Sequence, residues 1–69
     1  MYWEEIRQTE HFQDFHYGTL AWSEIIRRIY TIKSKRKKGN KIEIEDDQIY
    51  ILCELKDKTL YVINVKRKQ

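Results

Sequence analysis

The 69-residue sequence contains no proline, two glycines and one cysteine. A single cysteine cannot form a disulfide within the chain, so Cys53 is expected to be a small buried hydrophobic residue. No stretch reaches the roughly 20 apolar residues that a membrane-spanning helix needs. The N-terminus has no apolar run and carries Glu4 and Glu5, which argues against a signal peptide. These absences predict a cytoplasmic protein with no membrane partner.

Charged residues are the most prominent feature of the composition. Charged residues make up 36% of the chain and its formal net charge is +3. Few turn-forming residues combined with many Ile, Lys and Glu also fit a heat-adapted source. A chain this short forms one small core that gives only a few kcal/mol of stability, so association often adds to it. We therefore predict a single domain over residues 1–69 that forms a homodimer.

The C-terminal half has the period of β-strands. Apolar residues recur at every second position on both sides of Asp46-Asp47, which indicates a β-hairpin. A two-residue turn there would pair Glu45 with Gln48 and place the isoleucines on one face, the inner face. These isoleucines are Ile42, Ile44, Ile49 and Ile51.

The register of a third strand, Thr59 to Arg67, depends on the loop that precedes it. A three-residue loop, Lys56 to Lys58, would pair Leu55 with Thr59 and turn one apolar set inward. This set is Tyr61, Ile63 and Val65. A loop with an even number of residues would turn inward Leu60 and Val62 instead. We expect the three-residue loop, although it places Lys58 in a left-handed conformation that costs about 1 kcal/mol.

With that register, the outer face of the sheet carries an apolar patch beside its charged residues. The residues before Lys41 can cover only one face of a three-stranded sheet, so the patch needs a partner. We predict that it forms the dimer interface. The patch consists of Tyr50, Leu52, Leu60 and Val62.

The N-terminal half is expected to supply two helices. Met1 to Tyr17 has the spacing of one helical stripe, with an extended edge segment over Tyr2 to Gln8 and a helix start at Thr9 as the alternative. Gly18 breaks the pattern, and Thr19 can cap a second helix from Leu20 to about Lys33. The predicted fold class is α+β, with two N-terminal helices packed on one face of a three-stranded antiparallel meander.

A basic segment connects the second helix to the meander. It contains no acidic residue, and clustered cations bind nucleic-acid phosphates by releasing counterions. We predict that it contacts RNA or another nucleic acid through Lys33, Lys35, Arg36, Lys37, Lys38 and Lys41. A second cluster, Lys66 to Lys68, is expected at the other end of the meander, near Asp46-Asp47, unless the linker or the tail folds back.

The sequence lacks the motifs of most enzymes. His11 and His16 are five residues apart, which does not suit zinc, and no phosphate-binding loop or cysteine cluster is present, so neither metal nor cofactor is expected. One acid-base set remains that could cleave RNA without a metal ion. It combines His11 or His16 with Tyr50, Tyr61, Lys66 or Arg67, and its first candidate catalytic residues are His11, Tyr61 and Arg67.

Several short motifs, in order along the chain, resemble a small family related to RelE-type toxins. They are Thr9-Glu10-His11-Phe12, Gly18, Trp22-Ser23-Glu24-Ile25-Ile26, Tyr50 to Leu55, Asp57 and Thr59 to Ile63. The resemblance implies an α+β fold with a basic, RNA-facing surface, and His11 matches the histidine of that family. The leading hypothesis is a non-enzymatic or weakly active, self-associating protein that contacts nucleic acid, and two alternatives stay open beside it. These are a metal-independent ribonuclease toxin with a cognate protein partner, and a protein-interaction module without nucleic-acid binding.

Overall fold

The computed structural model describes residues 2–15 and 20–68 and contains one five-stranded mixed sheet. The strand order is β1-β5-β4-β3-β2, with β1 parallel to β5 and the other neighbours antiparallel. The elements are β1 (Glu5–Gln8), α1 (Glu10–Phe15), α2 (Trp22–Thr31), β2 (Lys35–Lys38), β3 (Lys41–Glu45), β4 (Ile49–Lys56) and β5 (Thr59–Arg67). The predicted three-stranded meander with two N-terminal helices is wrong, because a further strand pairs on each side of it.

The first added strand is β1. Ile6 pairs with Leu60 of β5, so the extended alternative for this segment is confirmed and a helix over Met1 to Tyr17 is wrong. Thr9 ends the strand and begins α1, since its Oγ1 donates to the carbonyl of Val62 at 2.8 Å and accepts the N–H of Phe12 at 3.1 Å. Capping of this kind satisfies a backbone donor that the first turn of a helix leaves unpaired.

The second added strand is β2, formed by the basic segment. It reverses into β3 through the two-residue turn Gly39-Asn40, and Lys38 pairs with Lys41. Gly39 has φ of +61°, which glycine adopts without steric cost. A glycine first in a two-residue turn matches the twist of the flanking strands, so a hairpin forms where a linker was expected.

Helix α2 lies within the predicted range of Leu20 to Lys33 but is shorter. Ala21 precedes its first turn and provides no side-chain cap, while the predicted break at Gly18 and cap at Thr19 lie outside the described residues. Its apolar stripe enters the core, where Ile25 and Ile29 are fully buried. The core lies between the helices and one face of the sheet and contains Phe12, Ile25, Ile29, Ile32, Ile42, Ile44, Ile49, Ile51, Cys53, Leu60, Val62 and Val65.

The β3–β4 connection is two positions longer than expected. Ile44 pairs with Ile51 instead of Ile49, and Glu45 pairs with Tyr50. Asp46 stabilises the longer loop, because its Oδ1 accepts the N–H groups of Gln48 and Ile49, each at 2.8 Å. An even shift leaves every side chain on its own face, so the predicted inner face is retained despite the wrong register.

The β4–β5 connection has two residues, Asp57 and Lys58, with φ of +51° and +63°. Positive φ at both positions is the type I′ geometry that suits a hairpin. The expected three-residue loop is wrong and the even-loop alternative is confirmed, since Leu60 and Val62 are fully buried. An irregularity then changes the pairing from Cys53 with Val62 to Leu52 with Asn64. The extra residue returns Val65 to the inner face.

The turn makes a first testable prediction. Lys58→Gly is expected to raise the free energy of unfolding by about 0.5–1 kcal/mol, because a left-handed residue with a side chain is strained and Asp-Gly is a favoured type I′ pair. Urea unfolding followed by circular dichroism measures the change. Lys58→Ala is the control, since it removes the charge but keeps the Cβ atom. Equal stabilisation by both substitutions would contradict the conformational explanation.

Candidate nucleic-acid interface

The face of the sheet opposite the helices, the outer face, carries alternating charges. Within residues 2–15 and 20–68, no helix covers it. Three half-buried carboxylates lie on β3 and β4, and each binds a neighbouring cation. These carboxylates are Glu43, Glu45 and Glu54.

Glu43 holds the centre of this face. Its Oε2 accepts a hydrogen bond from the hydroxyl of Tyr50 at 2.7 Å, and its Oε1 lies 3.6 Å from Arg36 Nε and 3.5 Å from Lys38 Nζ. The Tyr50 hydrogen bond, followed by these two cations, holds the pKa of Glu43 below its usual value. The same hydrogen bond, helped by burial, raises the pKa of Tyr50 to about 12.

This pair predicts a pH dependence. The folded pKa of Tyr50, about 12, exceeds its ordinary value of 10.0, so its stabilising contribution is complete below pH 10 and is lost as pH rises toward 12. Glu43→Gln is expected to lower the pKa of Tyr50 toward 10, because it removes the negative acceptor. An NMR titration of the tyrosine ring carbons measures it, and Glu54→Gln on the same face is the control. A Tyr50 that titrates near 10 in the unmodified protein contradicts the prediction.

Glu45 joins the two basic segments of the chain. One carboxylate oxygen accepts a hydrogen bond from Arg36 Nη2, and the other lies 2.6 Å from Lys68 Nζ. The hydrogen bond from Lys68, and to a smaller extent the one from Arg36, keeps the pKa of Glu45 below its usual value. The two segments meet because β2 folds back along β3, which puts the start of β2 and the end of β5 at the same end of the sheet. The linker thus folds back, and the expectation of two separate clusters is wrong.

We call the resulting surface the basic end. It consists of Lys33, Lys35, Arg36, Lys66, Arg67 and Lys68. Backbone hydrogen bonds fix both of its segments, from Glu45 N–H to the Ser34 carbonyl at 3.1 Å and from Lys68 N–H to the Gln48 carbonyl at 2.9 Å. The cations are therefore held on a rigid frame rather than on a free linker.

A small cleft opens beside the basic end. It has a volume of about 210 Å³ and is lined by Leu20, Arg28, Gln48, Ile49, Arg67 and Lys68. Arg28 extends from α2, with Nε 3.1 Å from Glu24 Oε1 and Nη1 3.8 Å from Asp46 Oδ2. Hydrogen bonds from the backbone N–H groups of Gln48 and Ile49 lower the pKa of Asp46, so it remains ionised at neutral pH. The cleft adds a half-buried guanidinium to the cations of the basic end.

The remaining predicted nucleic-acid contacts lie outside the basic end. Lys38 approaches Glu43, and Lys41 Nζ lies 3.2 Å from Glu54 Oε2. Lys37 is exposed and pairs with Ile42, an inner-face position, so it projects to the helix side of β2. Because side chains alternate along a strand, the run Lys35 to Lys38 is divided between two faces, with Lys35 and Lys37 opposite inner-face residues and Arg36 and Lys38 on the outer face, so the basic end carries cations on both faces of the sheet.

The three candidate catalytic residues do not meet. His11 lies exposed on α1, on the helix side of the sheet, whereas Tyr61 pairs with Arg7 and Glu54 on the outer face. Arg67 ends β5 at the basic end. The sheet separates His11 from Tyr61, so one substrate bond cannot contact both, and His16 lies outside the described residues. In the part of the chain that the structure describes, no three His, Cys, Asp or Glu side chains are grouped to hold a metal ion.

The predicted dimer patch is divided by the sheet. Tyr50 and Leu52 lie half-buried on the outer face, but Leu60 and Val62 belong to the core, so the four residues cannot form one interface. The two-residue turn at Asp57 is the cause, since it reverses the facing of the strand that follows. Cys53 is also in the core, as expected, and burial raises the pKa of its thiol to about 12.

The sequence did not predict the contacts of Glu45. Its alternation with Ile44 placed it on the outer face, but nothing local indicated that Arg36 and Lys68 would share it.

Comparisons with protein-family models, curated proteins and solved structures each find no match for this chain. Neither α1 nor α2, the helices in the described residues, is long and apolar enough to cross a membrane.

Proposed function

We propose that the protein is a cytoplasmic nucleic-acid-binding module that contacts the phosphate backbone through the basic end, with RNA as the expected ligand. The observation that supports this most is the joining of Arg36 and Lys68 by Glu45, which combines two basic segments from distant parts of the sequence. Nucleic-acid backbones carry closely spaced negative charges, so a cluster of cations gains affinity by displacing their counterions.

The charge balance at this end supports the same function. The six cations of the basic end lie near four carboxylates, Glu43, Glu45, Asp46 and Asp47. Glu45 and Asp46 are already engaged by cations or backbone N–H groups. Lys33 and Lys66 are exposed and contact no carboxylate among the described residues. They are available to a phosphate without loss of an internal ion pair.

Binding is expected to weaken steeply with salt. Lys66→Gln should lower the slope of log affinity against log salt concentration by about one, because one phosphate contact is lost. Fluorescence anisotropy with labelled single-stranded RNA and with duplexes at several salt concentrations measures this slope. Lys56→Gln is the matched control. Lys56 carries the same charge as Lys66 and lies on the same face of the sheet. It is six residues along β4 from Tyr50, the partner of Lys66, which is a distance of roughly 20 Å.

Equal effects of these two substitutions would mean that binding follows net charge rather than the basic end. No salt-dependent binding of any probe by the unmodified protein would contradict the proposed function.

Glu45 provides a test in the opposite direction. Glu45→Gln is expected to strengthen binding, because it removes the carboxylate that Arg36 and Lys68 share and leaves Arg36 with the longer contact to Glu43. Glu54→Gln is the control, since Glu54 binds Asn40 and Lys41 away from the basic end. Anisotropy titrations at one fixed salt concentration compare the variants. Weaker binding by Glu45→Gln would show that Glu45 is needed to position the two cations and does not compete with phosphate.

A further inference from the structure

The sheet is open and has two edge strands, β1 and β2. An edge strand presents backbone N–H and C=O groups that can pair with another chain. Every residue of β2 is Lys or Arg. Two copies of β2 paired antiparallel would place like charges opposite each other, which is destabilising. Strand β2 is therefore protected against pairing with itself.

Strand β1 differs because it carries both signs of charge. Glu5 and Arg7 lie on its outer side, opposite Thr59 and Tyr61, and Ile6 and Gln8 lie on its inner side. The side chains of Arg7 and Glu5 are 61% and 51% exposed, and Arg7 Nε lies 2.8 Å from Glu5 Oε1 within the strand. An exposed pair of this kind contributes little stability, so its exchange for other partners costs little.

The backbone of β1 sets which residues can pair. In a parallel ladder, alternate residues direct their N–H and C=O groups to the neighbouring strand. Thr9 N–H bonds to the carbonyl of Val62 at 3.1 Å, so Arg7 also faces β5, while at the start of the strand Glu4 N–H bonds to the carbonyl of Lys58 at 2.7 Å. Ile6 and Gln8 then direct their groups to the open edge. An antiparallel partner must be in a register that uses Ile6 and Gln8.

Two symmetric registers place Ile6 opposite an edge-facing residue of the second strand, and charge distinguishes them. If Ile6 lies opposite Ile6 of a second copy, Glu5 of each copy lies opposite Arg7 of the other, and both ion pairs are favourable. If Ile6 lies opposite Gln8, the two Arg7 side chains oppose each other. A two-fold axis through Ile6 is therefore self-complementary, as a closed dimer interface must be.

An open groove runs along this edge and leaves room for a second copy. It is lined by Glu5, Ile6, Arg7, Gln8, Gln13 and Trp22. Ile6 and Trp22 are half-buried and pack against the core. A second Ile6 laid across the axis would cover part of this apolar surface.

We propose that two copies of the protein pair through β1, antiparallel and with Ile6 on the two-fold axis, to form a continuous ten-stranded sheet. The contact is confined to one short strand from each copy, so the dimer forms at high protein concentration. The basic end stays exposed in both copies, since its residues lie on β2, at the end of β5 or beside them.

Charge exchange tests the interface. Glu5→Arg and Arg7→Glu each place like charges across the axis, so each variant alone is expected at monomer mass at high micromolar concentration, where the unmodified protein has twice that mass. Mixed in equal amounts, the two variants should form a heterodimer, and the double variant Glu5→Arg/Arg7→Glu should again form a homodimer. Sedimentation equilibrium measures the masses, and circular dichroism verifies folding of these exposed-site variants.

Each outcome decides for or against the proposal. Monomer mass for the unmodified protein at high micromolar concentration overturns it. Dimers of either single variant place the interface elsewhere in the chain. Monomers in the equal mixture, with folded variants, exclude the register centred on Ile6. Salt should weaken the heterodimer, because its two ion pairs are exposed.

Discussion

Replacing Leu60 by alanine is expected to lower the free energy of unfolding by about 2–5 kcal/mol. Leu60 is fully buried, and it pairs with Leu55 on one side and Ile6 on the other. The alanine leaves a cavity at the point where β1 joins the meander. A domain of this length has a total stability of about 3–10 kcal/mol, so one such cavity removes a large fraction of it. Urea unfolding followed by circular dichroism gives the change.

Leu52→Ala is the matched control for Leu60→Ala. Both substitutions remove the same atoms, but Leu52 is half-buried on the outer face, so its loss should cost about 1 kcal/mol or less. The comparison also tests the strand register, because a three-residue loop at Asp57 would reverse the facing of Leu60. A larger cost for Leu52 than for Leu60 would contradict the type I′ turn.

Replacing Phe12 by alanine is expected to cost about 3–5 kcal/mol and to release α1 from the sheet. Phe12 is 1% exposed, and its ring centroid lies 5.8 Å from that of Trp22. Helix α1 has only six residues, and a helix this short is unstable in water without tertiary contacts. Hydrogen exchange measured residue by residue should show lost protection first in α1 and then in β1.

Gln13→Ala is the control for Phe12→Ala. Gln13 is the next residue of the same helix and is exposed, so the substitution should change stability by no more than about 0.5 kcal/mol. Uniform loss of protection across all strands in Phe12→Ala would show that α1 does not open separately. Unchanged stability would contradict the placement of Phe12 in the core.

Local pattern predicted much of the fold. The alternation of Ile42 and Ile44 with charged residues, and the period-two run of β4, identified the inner face, and all their isoleucines are buried. The predicted inner face was correct despite the wrong register at Asp46, because a shift of two positions keeps each side chain on the same face. The error at Asp57 was one position, and it moved Leu60 and Val62 from the predicted dimer patch into the core. An odd or even error in loop length therefore decided which residues were assigned to the wrong face of the sheet.

The candidate site was predicted less completely. The basic composition of Lys33 to Lys41 was visible in the sequence, and so was the tail Lys66 to Lys68. Their meeting at Glu45 was not, because it depends on β2 folding back along β3 through Gly39. The catalytic set of His11, Tyr61 and Arg67 was assembled from residue types and, for His11, from the family resemblance, and the sheet places His11 and Tyr61 on opposite sides.

The sequence by itself determined the apolar periodicity of α2, β3 and β4 and the excess of basic charge, and it offered the helix start at Thr9 as an alternative. The periodicities and the Thr9 cap depend on residues a few positions apart, which interact through local geometry. Only the tertiary structure decided that β1 lies parallel to β5, that β2 forms an edge, and that Arg36 and Lys68 share one carboxylate. These contacts join residues far apart in the chain, and their free energy depends on which strands pair, a choice that local patterns leave open.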